Sequence, residues 1–332
     1  MIKQIGAGII GMGRIGNRHA EEIIRHPGLN LIGFFDINPK AKGPTYTYAF
    51  ASLNEFLSER NLGVIHVCTP NGTHFSIAKQ CLSAGKSVVI EKPVTLLHSE
   101  AEELEILAKK RSLHIFCVMQ NRYSPVSVWL KEVIDNQYLG KLFSVHVDCA
   151  WNRDDRYYSG DSWHGSLDLD GGPLYTQFSH FVDMLYWLFG ELTIQDARFF
   201  NHNHPNTEFE DSGSFQFETG AVKQGSFHYT TSVWDKNFKS SIQLIGEKGS
   251  IEISGQYMNE VRYCHIENYE MPTLSPAPPP NLYQGYEGSA SNHVHVIHNV
   301  WETLNEKSHP NTPIHEGKMV TKAIENVYLR RK

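Results

Sequence analysis

The chain has 332 residues, 40% of them hydrophobic and 20% charged, with a formal net charge of −6. Single cores usually split beyond roughly 250–300 residues, so two domains are expected. The acidic balance offers no basic footprint for nucleic acid, and no apolar run approaches the ~20 residues that a membrane span needs.

In chain order, the first signal is glycine. Residues 1–16 hold two overlapping G-x-G-x-x-G frames, Gly6/Gly8/Gly11 and Gly11/Gly13/Gly16. Only the second follows an apolar run, ending at Ile9-Ile10, and precedes a helical pattern from Arg14 to Arg25. In such a frame Gly11 makes the tight turn, Gly13 lets backbone approach a pyrophosphate, and Gly16 lets helix and strand pack closely. Arg14 and Ile15 then open a helix whose free N–H groups and dipole face the phosphates. Asp36 ends the next apolar run, Leu29–Phe35, 20 residues beyond Gly16. A carboxylate there accepts from ribose hydroxyls and repels a 2′-phosphate, which favours NAD over NADP.

Strands and helices alternate onward: helix 52–60, strand Val64–Cys68, helix 74–84, strand Ser87–Ile90, helix 99–111 and strand His114–Met119. Short Val/Ile-rich strands with little polar alternation predict a doubly wound parallel sheet, the Rossmann arrangement, over residues 1–121. Gly85 stands where a cap for helix 74–84 belongs, and Thr73 is placed to cap its start. From Ser124 the pattern changes: helix Val126–Asp135, strand Lys141–Trp151, an aromatic loop over 152–171 and an apolar helix Leu174–Phe189. Strand-like segments follow at 194–202, 211–218, 222–231, 238–246, 249–254 and 260–267, then a Pro-rich loop Met271–Tyr286 and helices near 291–304 and 315–328. Successive strands without crossover helices predict an α+β domain with an open, largely antiparallel sheet over 122–332.

The chemistry-bearing residues cluster at strand ends. Glu91-Lys92-Pro93 follows strand Ser87–Ile90, and ligands of open parallel sheets bind outside the carboxyl ends of the strands. Lys92 there reads either as a group that stabilises a developing alkoxide or as a solvated surface lysine. Thr69, Pro70, Asn71 and His74 form the turn after Val64–Cys68, and Gln120, Asn121 and Arg122 end strand His114–Met119; both turns are placed to line a cofactor or substrate. Arg122 could equally hold the two domains together. Thr176, His180 and Asp183 share one face of helix 174–189, with Gln177 beside them. His180 is a credible general base oriented by Asp183, although a core histidine paired with that carboxylate is the commoner arrangement. Arg153, Arg156, Tyr157, Tyr158, Trp163 and His164 in the aromatic loop suit either an anionic sugar or a contact between subunits. Among His202, His204, His293, His295 and His298 no third ligand stands at metal spacing, so no metal is expected. The five cysteines form no C-x-x-C pair, and the chain opens directly on a strand, which together predict a reducing, cytoplasmic setting.

Taken together, Gly11-Met-Gly-Arg-Ile-Gly16, Asp36, Cys68-Thr-Pro-Asn71, Glu91-Lys-Pro93, Gly171-Gly172 and His180-Phe-Val-Asp183 resemble the glucose–fructose oxidoreductase/inositol dehydrogenase/rhizopine-catabolism (Gfo/Idh/MocA) family, in its order and spacing. The resemblance implies an NAD(P)-dependent oxidoreductase for a sugar or polyol, usually a homodimer or homotetramer, with Lys92 and His180 as the catalytic pair. Many members carry Asp where Thr176 stands; a hydroxyl is no proton acceptor, which moves the base role to His180. Val118-Met-Gln-Asn-Arg122, Trp151-Asn-Arg153, Tyr157-Tyr158, Trp163 and Gln177-Phe-Ser-His180 are similar to the branch that oxidises C3 of UDP-N-acetylglucosaminuronate. That branch implies substrate contacts by Lys92, Asn121, Arg122, Arg153, Tyr157, Trp163, Thr176, Gln177 and His180. It tends to have Asn at position 176 and Arg at position 164. The other readings of these residues are a different sugar or polyol dehydrogenase, an NAD-dependent glycosidase and a dinucleotide-sensing regulator.

Overall fold

The computed structural model describes residues 4–44, 47–158, 163–283 and 286–331. They divide into two units: residues 1–119 with 293–321, and residues 120–292 with 322–332.

In the first unit the Val/Ile-rich runs become five parallel strands, β1 (Ile5–Ile10), β2 (Leu29–Phe35), β3 (Leu62–Val67), β4 (Ser87–Ile90) and β5 (Ile115–Cys117), in the order β2-β1-β3-β4-β5. Helices α1 (Arg14–Arg25), α2 (Leu53–Ser58), α3 (His74–Ser83) and α4 (His98–Arg111) connect them. Ile9, Val64, Ile65, Val67, Val88, Val89 and Ile90 have no exposed surface, as both-face coverage demands. Each such side chain contributes roughly 1.5–3 kcal/mol of burial. Strand order reverses between β1 and β3, and that switch point opens a crevice at their carboxyl ends.

A single cut after residue 121 misses a return of the chain. Helix α9 (His293–Leu304) belongs to the first unit, and so does most of α10 (Ile314–Tyr328). Gly28 explains part of this: a Cβ there would lie 2.0 Å from the Trp301 ring nitrogen, so only glycine admits that indole. Beyond α9 the chain extends the sheet edge, with the Cys117 N–H donating to Thr312 O at 2.9 Å. A pattern of local periodicity carries no record of such a return.

The second unit contains α5 (Pro125–Asp135), β6 (Leu142–Ala150), α6 (Asp155–Tyr158), α7 (Pro173–Thr176) and α8 (Ser179–Phe189). Six further strands follow: β7 (Thr193–Phe200), β8 (Ser212–Glu218), β9 (Gln224–Thr230), β10 (Lys239–Gly246), β11 (Gly249–Ser254) and β12 (Glu260–Ile266). They pair as β12-β11-β10-β6-β9-β8-β7, antiparallel except for the parallel pair β6–β9. Burial alternates along the strands, with Val145, Val147, Phe215, Phe217, Phe227, Ile242 and Leu244 inward. His146, Asp148, Ser226, His228 and Lys239 instead line a groove on the polar face.

Two elements differ from the sequence expectation. The helix expected over 174–189 is two helices. Between them the Gln177 and Phe178 N–H groups both donate to Pro173 O at 2.9 Å, and the second of these spans five residues, a wide turn. The Pro-rich segment is not all loop: β13 (Pro280–Tyr283) pairs with β14 (Tyr286–Ala290). Residues 159–162 of the aromatic loop lie outside the described residues. Among the described residues no helix is long and apolar enough to cross a membrane.

Candidate dinucleotide and substrate sites

The residues after β1, β2, β3 and β4 form one continuous edge of the first unit. Gly11 N–H donates to Phe35 O at 2.9 Å, Cys68 N–H to Ile10 O at 2.8 Å and Glu91 N–H to Val67 O at 3.1 Å, so adjacent loops start in register. The glycines have distinct reasons. Gly11 adopts φ +90°, and a Cβ on it would lie 2.5 Å from Cys68 O. A Cβ on Gly16 would lie 2.0 Å from Gly11 O. Gly13 is the opposite case: a Cβ there meets nothing within 4 Å, leaving an open cradle at the N-terminus of α1. Gly13 has no side chain to cap that helix, so its first N–H groups face the cradle.

Asp36 closes the other end. Its Oδ2 accepts from Met12 N–H at 2.6 Å and its Oδ1 from Asn38 N–H at 2.7 Å, which fixes the carboxylate at the tip of β2. Open cradle, helix N-terminus and fixed carboxylate together fit an NAD dinucleotide. Arg14 and Ile15 begin α1 directly after the cradle.

The turn after β3 holds Thr69, Pro70 and Asn71. Thr73 does not cap α3; its hydroxyl donates to Pro70 O at 2.7 Å and stands 2.7 Å from Thr69 Oγ1, tightening the turn itself. His74 is fully buried. Its Nδ1 is 2.7 Å from Pro93 O and its Nε2 2.9 Å from Thr69 O, so it joins two loops rather than offering a nitrogen to a cofactor. Burial lowers its pKa against the pull of both carbonyls.

Glu91, expected to line the cofactor, is buried beneath Lys92. His19 Nε2 lies 2.9 Å from Glu91 Oε1, and His19 Nδ1 lies 2.8 Å from His66 Nδ1. His293, at the start of α9, places Nε2 3.5 Å from the same Glu91 oxygen. Burial opposes a charged His19, but Cys68 and Glu91 overcome it and raise His19 to about 10. Burial also opposes a charged Glu91, yet hydrogen bonds from His19 and His293 hold it well below the ordinary carboxylate range. Burial keeps His66 and His293 neutral and pushes the Cys68 thiol up. Sequence reasoning missed this cluster, because its members are dispersed along the chain.

In the second unit, Arg122 is fully committed. From the short turn Gln120–Tyr123 its Nε donates to Asp183 Oδ2 at 2.8 Å and its Nη2 to Asp183 Oδ1 at 2.5 Å, with both residues buried. The Asp183 carboxylate is thus the counter-ion of Arg122, which braces the unit internally. Gln120 Nε2 donates to Ser289 Oγ at 3.0 Å, and Gln120 O accepts from Asn292 at 3.2 Å.

Thr176 Oγ1 donates to the Asp170 carboxylate and sits 3.1 Å from Asp170 O. Asp170 is fully buried and also accepts from Gly165 N–H at 3.0 Å. Thr176 therefore has a carboxylate behind it, a partner no periodicity revealed. Gln177 donates to Tyr157 OH at 3.1 Å, and Tyr157 stacks on His164 with centroids 4.1 Å apart. Trp163 also lies against that imidazole, centroids 3.9 Å apart. Arg153 is buried over Trp151 and Tyr157 with Nη1 3.2 Å from Asn237 Oδ1, while exposed Arg156 pairs with Asp154 and Asp235.

Three buried groups stand out by contrast. The Asn121 side-chain amide, Gln177 Oε1 and the Ser179 hydroxyl have no hydrogen-bond partner among the described residues. Buried polar groups are normally paired, so these three need a partner that the chain itself does not supply, a water or a polar ligand. Ser179 was not singled out in the sequence because it falls inside the helix expected over 174–189, where a serine reads as an ordinary helical residue.

Residues 5–118 match the Gfo/Idh/MocA oxidoreductase family model, described as an NAD-binding Rossmann fold, and residues 128–252 match the Gfo/Idh/MocA C-terminal domain. The chain belongs to the Gfo/Idh/MocA oxidoreductase family. Its fold is similar to the WlbA dehydrogenase from Chromobacterium violaceum in complex with NADH and UDP-GlcNAcA (TM-score 0.88, 27% identity, 99% of this chain and 94% of that one). The Bordetella pertussis WlbA dehydrogenase, with the same ligands, gives TM-score 0.87 at 26% identity over 99% of this chain and 96% of that one. Sequence relatives include the oxidoreductases sll0816 of Synechocystis (31% identity over 45% of this chain) and YdgJ of Escherichia coli (33% over 57%). The chain spans 40% and 55% of the length of those two relatives.

Proposed function

We propose that the protein is an NAD-dependent dehydrogenase that oxidises a secondary hydroxyl, at C3, of a UDP-linked N-acetyl aminouronic acid. The observation that carries this reading is the edge of the first unit. Open cradle, Asp36 and Lys92 follow β1, β2 and β4 at the carboxyl edge of one parallel sheet, whose strand order reverses between β1 and β3. NAD bound there would accept the hydride. Lys92 would donate a hydrogen bond to the substrate hydroxyl and stabilise its developing negative charge. His180 would take the hydroxyl proton, since Thr176 cannot. The orphaned Asn121, Gln177 and Ser179 groups suit the hydroxyls and amide of a sugar. The nucleotide-sugar class is supported by the two WlbA complexes with UDP-GlcNAcA.

The test is purified protein with NAD and a panel of UDP-N-acetylglucosaminuronate, UDP-N-acetylglucosamine, free polyols and aldoses, followed by NADH absorbance. UDP-N-acetylglucosaminuronate is expected to be turned over in preference to the free sugars. Lys92→Ala is expected to lower kcat about 10²–10³-fold with NAD affinity nearly unchanged. Equal loss of NAD affinity would make Lys92 a cofactor ligand only. Turnover confined to a free sugar would move the substrate out of the nucleotide-sugar class.

A further inference from the structure

We propose that the buried His19–Glu91 pair, with His66 and His293 packed around it, is a positioning device that fixes the turn from which Lys92 projects. The inference rests on the reading of Lys92 as the residue that holds the substrate hydroxyl.

The geometry is directional. Glu91 uses one oxygen for the histidines and the other for its own neighbour: Oε2 accepts from the Lys92 backbone N–H at 3.2 Å. The carboxylate is thus an anchor for the backbone that carries the lysine. His19 belongs to α1, the helix that begins at the Gly13 cradle. One hydrogen bond therefore ties the phosphate-binding helix to the lysine turn, which sets the distance between dinucleotide and hydroxyl-binding group. A misplacement of about 1 Å in such a pair costs about 10²-fold in rate.

Proton accounting supports the same assignment. As an imidazolium, His19 donates Nε2–H to Glu91 and Nδ1–H to His66, so both of its protons have acceptors. The groups that face the pair are His66 from β3, Cys68 after it, His293 from α9, and Arg18, His74 and Lys92 at greater range. With His66 and His293 neutral, His19 and Glu91 face each other as one cation and one anion, which is what buried charge requires. The opposite flank of Lys92 is held as well, since Pro93 O lies 2.7 Å from His74 Nδ1. The lysine turn is fixed on both sides while Lys92 itself is half-buried at the edge.

A metal centre is the competing use of these atoms. His19, Glu91 and His293 offer three donor atoms within 4.8 Å of one another. Both His19 nitrogens are already engaged, Nδ1 by His66 at 2.8 Å and Nε2 by Glu91 at 2.9 Å. That argues for hydrogen-bonded positioning rather than ligation.

The experiment compares wild type, His19→Leu, His19→Gln and Lys92→Ala as full-length protein. Reductive methylation followed by mass spectrometry reads the reactivity of the Lys92 amine against pH without any substrate. NAD affinity comes from calorimetry, and kcat from UDP-N-acetylglucosaminuronate. His19→Leu is expected to lower kcat at least about tenfold and to change the Lys92 labelling profile. NAD affinity should stay within about threefold of wild type. His19→Gln keeps a donor for Glu91 and should recover most of both signals. Should His19→Leu fail to fold, Glu91→Gln carries the same readouts. A labelling profile identical to wild type, with only thermal stability reduced, would overturn the proposal. So would NAD affinity falling in step with kcat, or stoichiometric metal in the purified protein by elemental analysis. If Lys92→Ala keeps full turnover, the function reading fails, whereas the labelling arm still decides the positioning claim.

Discussion

The two units build their polar chemistry from different materials. The first presents backbone: glycines without side chains, a helix terminus without a cap, and carbonyls and N–H groups in sheet register. Its buried charges lie beneath the edge, in the His19–Glu91 pair. The second presents side chains. Arg122 braces Asp183, Asp170 stands behind Thr176, and Asn121, Gln177 and Ser179 hold polar atoms without partners. A backbone cradle suits a ligand that every member of a family shares, because it depends on main-chain shape. A side-chain surface suits a ligand that differs between members, because single substitutions rewrite it.

The sharpest way to break that contrast is to test whether Arg122 is structural. Arg122→Met would leave Asp183 a buried, unpaired carboxylate and should lower stability by about 3–5 kcal/mol. Arg122→Met with Asp183→Leu removes both charges and should recover much of that loss. Denaturant unfolding of both variants reads the difference. An unchanged midpoint with weaker sugar binding would return Arg122 to the substrate surface.

The cradle is tested by Gly13→Ala. Its φ of −75° admits alanine, and no protein atom lies within 4 Å of the added Cβ, so the apo protein should keep its stability within about 0.5 kcal/mol. The methyl group would instead occupy the space expected for the pyrophosphate. Wild type should gain about 2.7 kcal/mol from NAD at a hundredfold excess over Kd, and the variant should lose most of that gain. A variant that still responds to NAD in a thermal-shift assay would remove Gly13 from the cofactor site.

These tests follow the line between what was legible in the chain and what was not. Gly11, Gly13, Gly16 and Asp36 could be read directly, because each position is forced by backbone geometry and spacing within one βαβ unit. The five parallel strands were legible for the same reason: their hydrophobicity is local. Pairings across long separations were not. His293 is 202 positions from Glu91, and Arg122 is 61 from Asp183, so neither partnership leaves a periodic trace. The break after Thr176 was hidden because residues 174–189 are helix-compatible throughout; the wide turn at Pro173 O arises from packing. The return of α9 to the first unit was hidden in a glycine, Gly28, that reads as a turn residue until Trp301 is placed over it.

The smallest effect concerns the charge buried under the backbone edge, and its sign follows from the protons held. His19 is raised from 6.5 to about 10, so the folded protein holds that proton more tightly than the unfolded chain does. Its contribution to stability is complete below pH 6.5 and fades as pH rises toward 10. The neutral His66, His74 and His293 act oppositely, but their contribution is lost only as pH falls below 6.5. Glu91 is lowered, so its share is lost on acidification below 4.5. Cys68 is raised from 9.0 and adds its own alkaline loss only above that value. Between pH 6.5 and 9 His19 is thus the member of the cluster whose proton changes stability. The thermal midpoint of wild type should decline across that window, and Glu91→Gln, which removes the carboxylate charge beside His19, should decline less. Equal slopes in the two proteins would mean that His19 is neutral in the fold, leaving Glu91 as a buried anion without a cationic partner in its cluster.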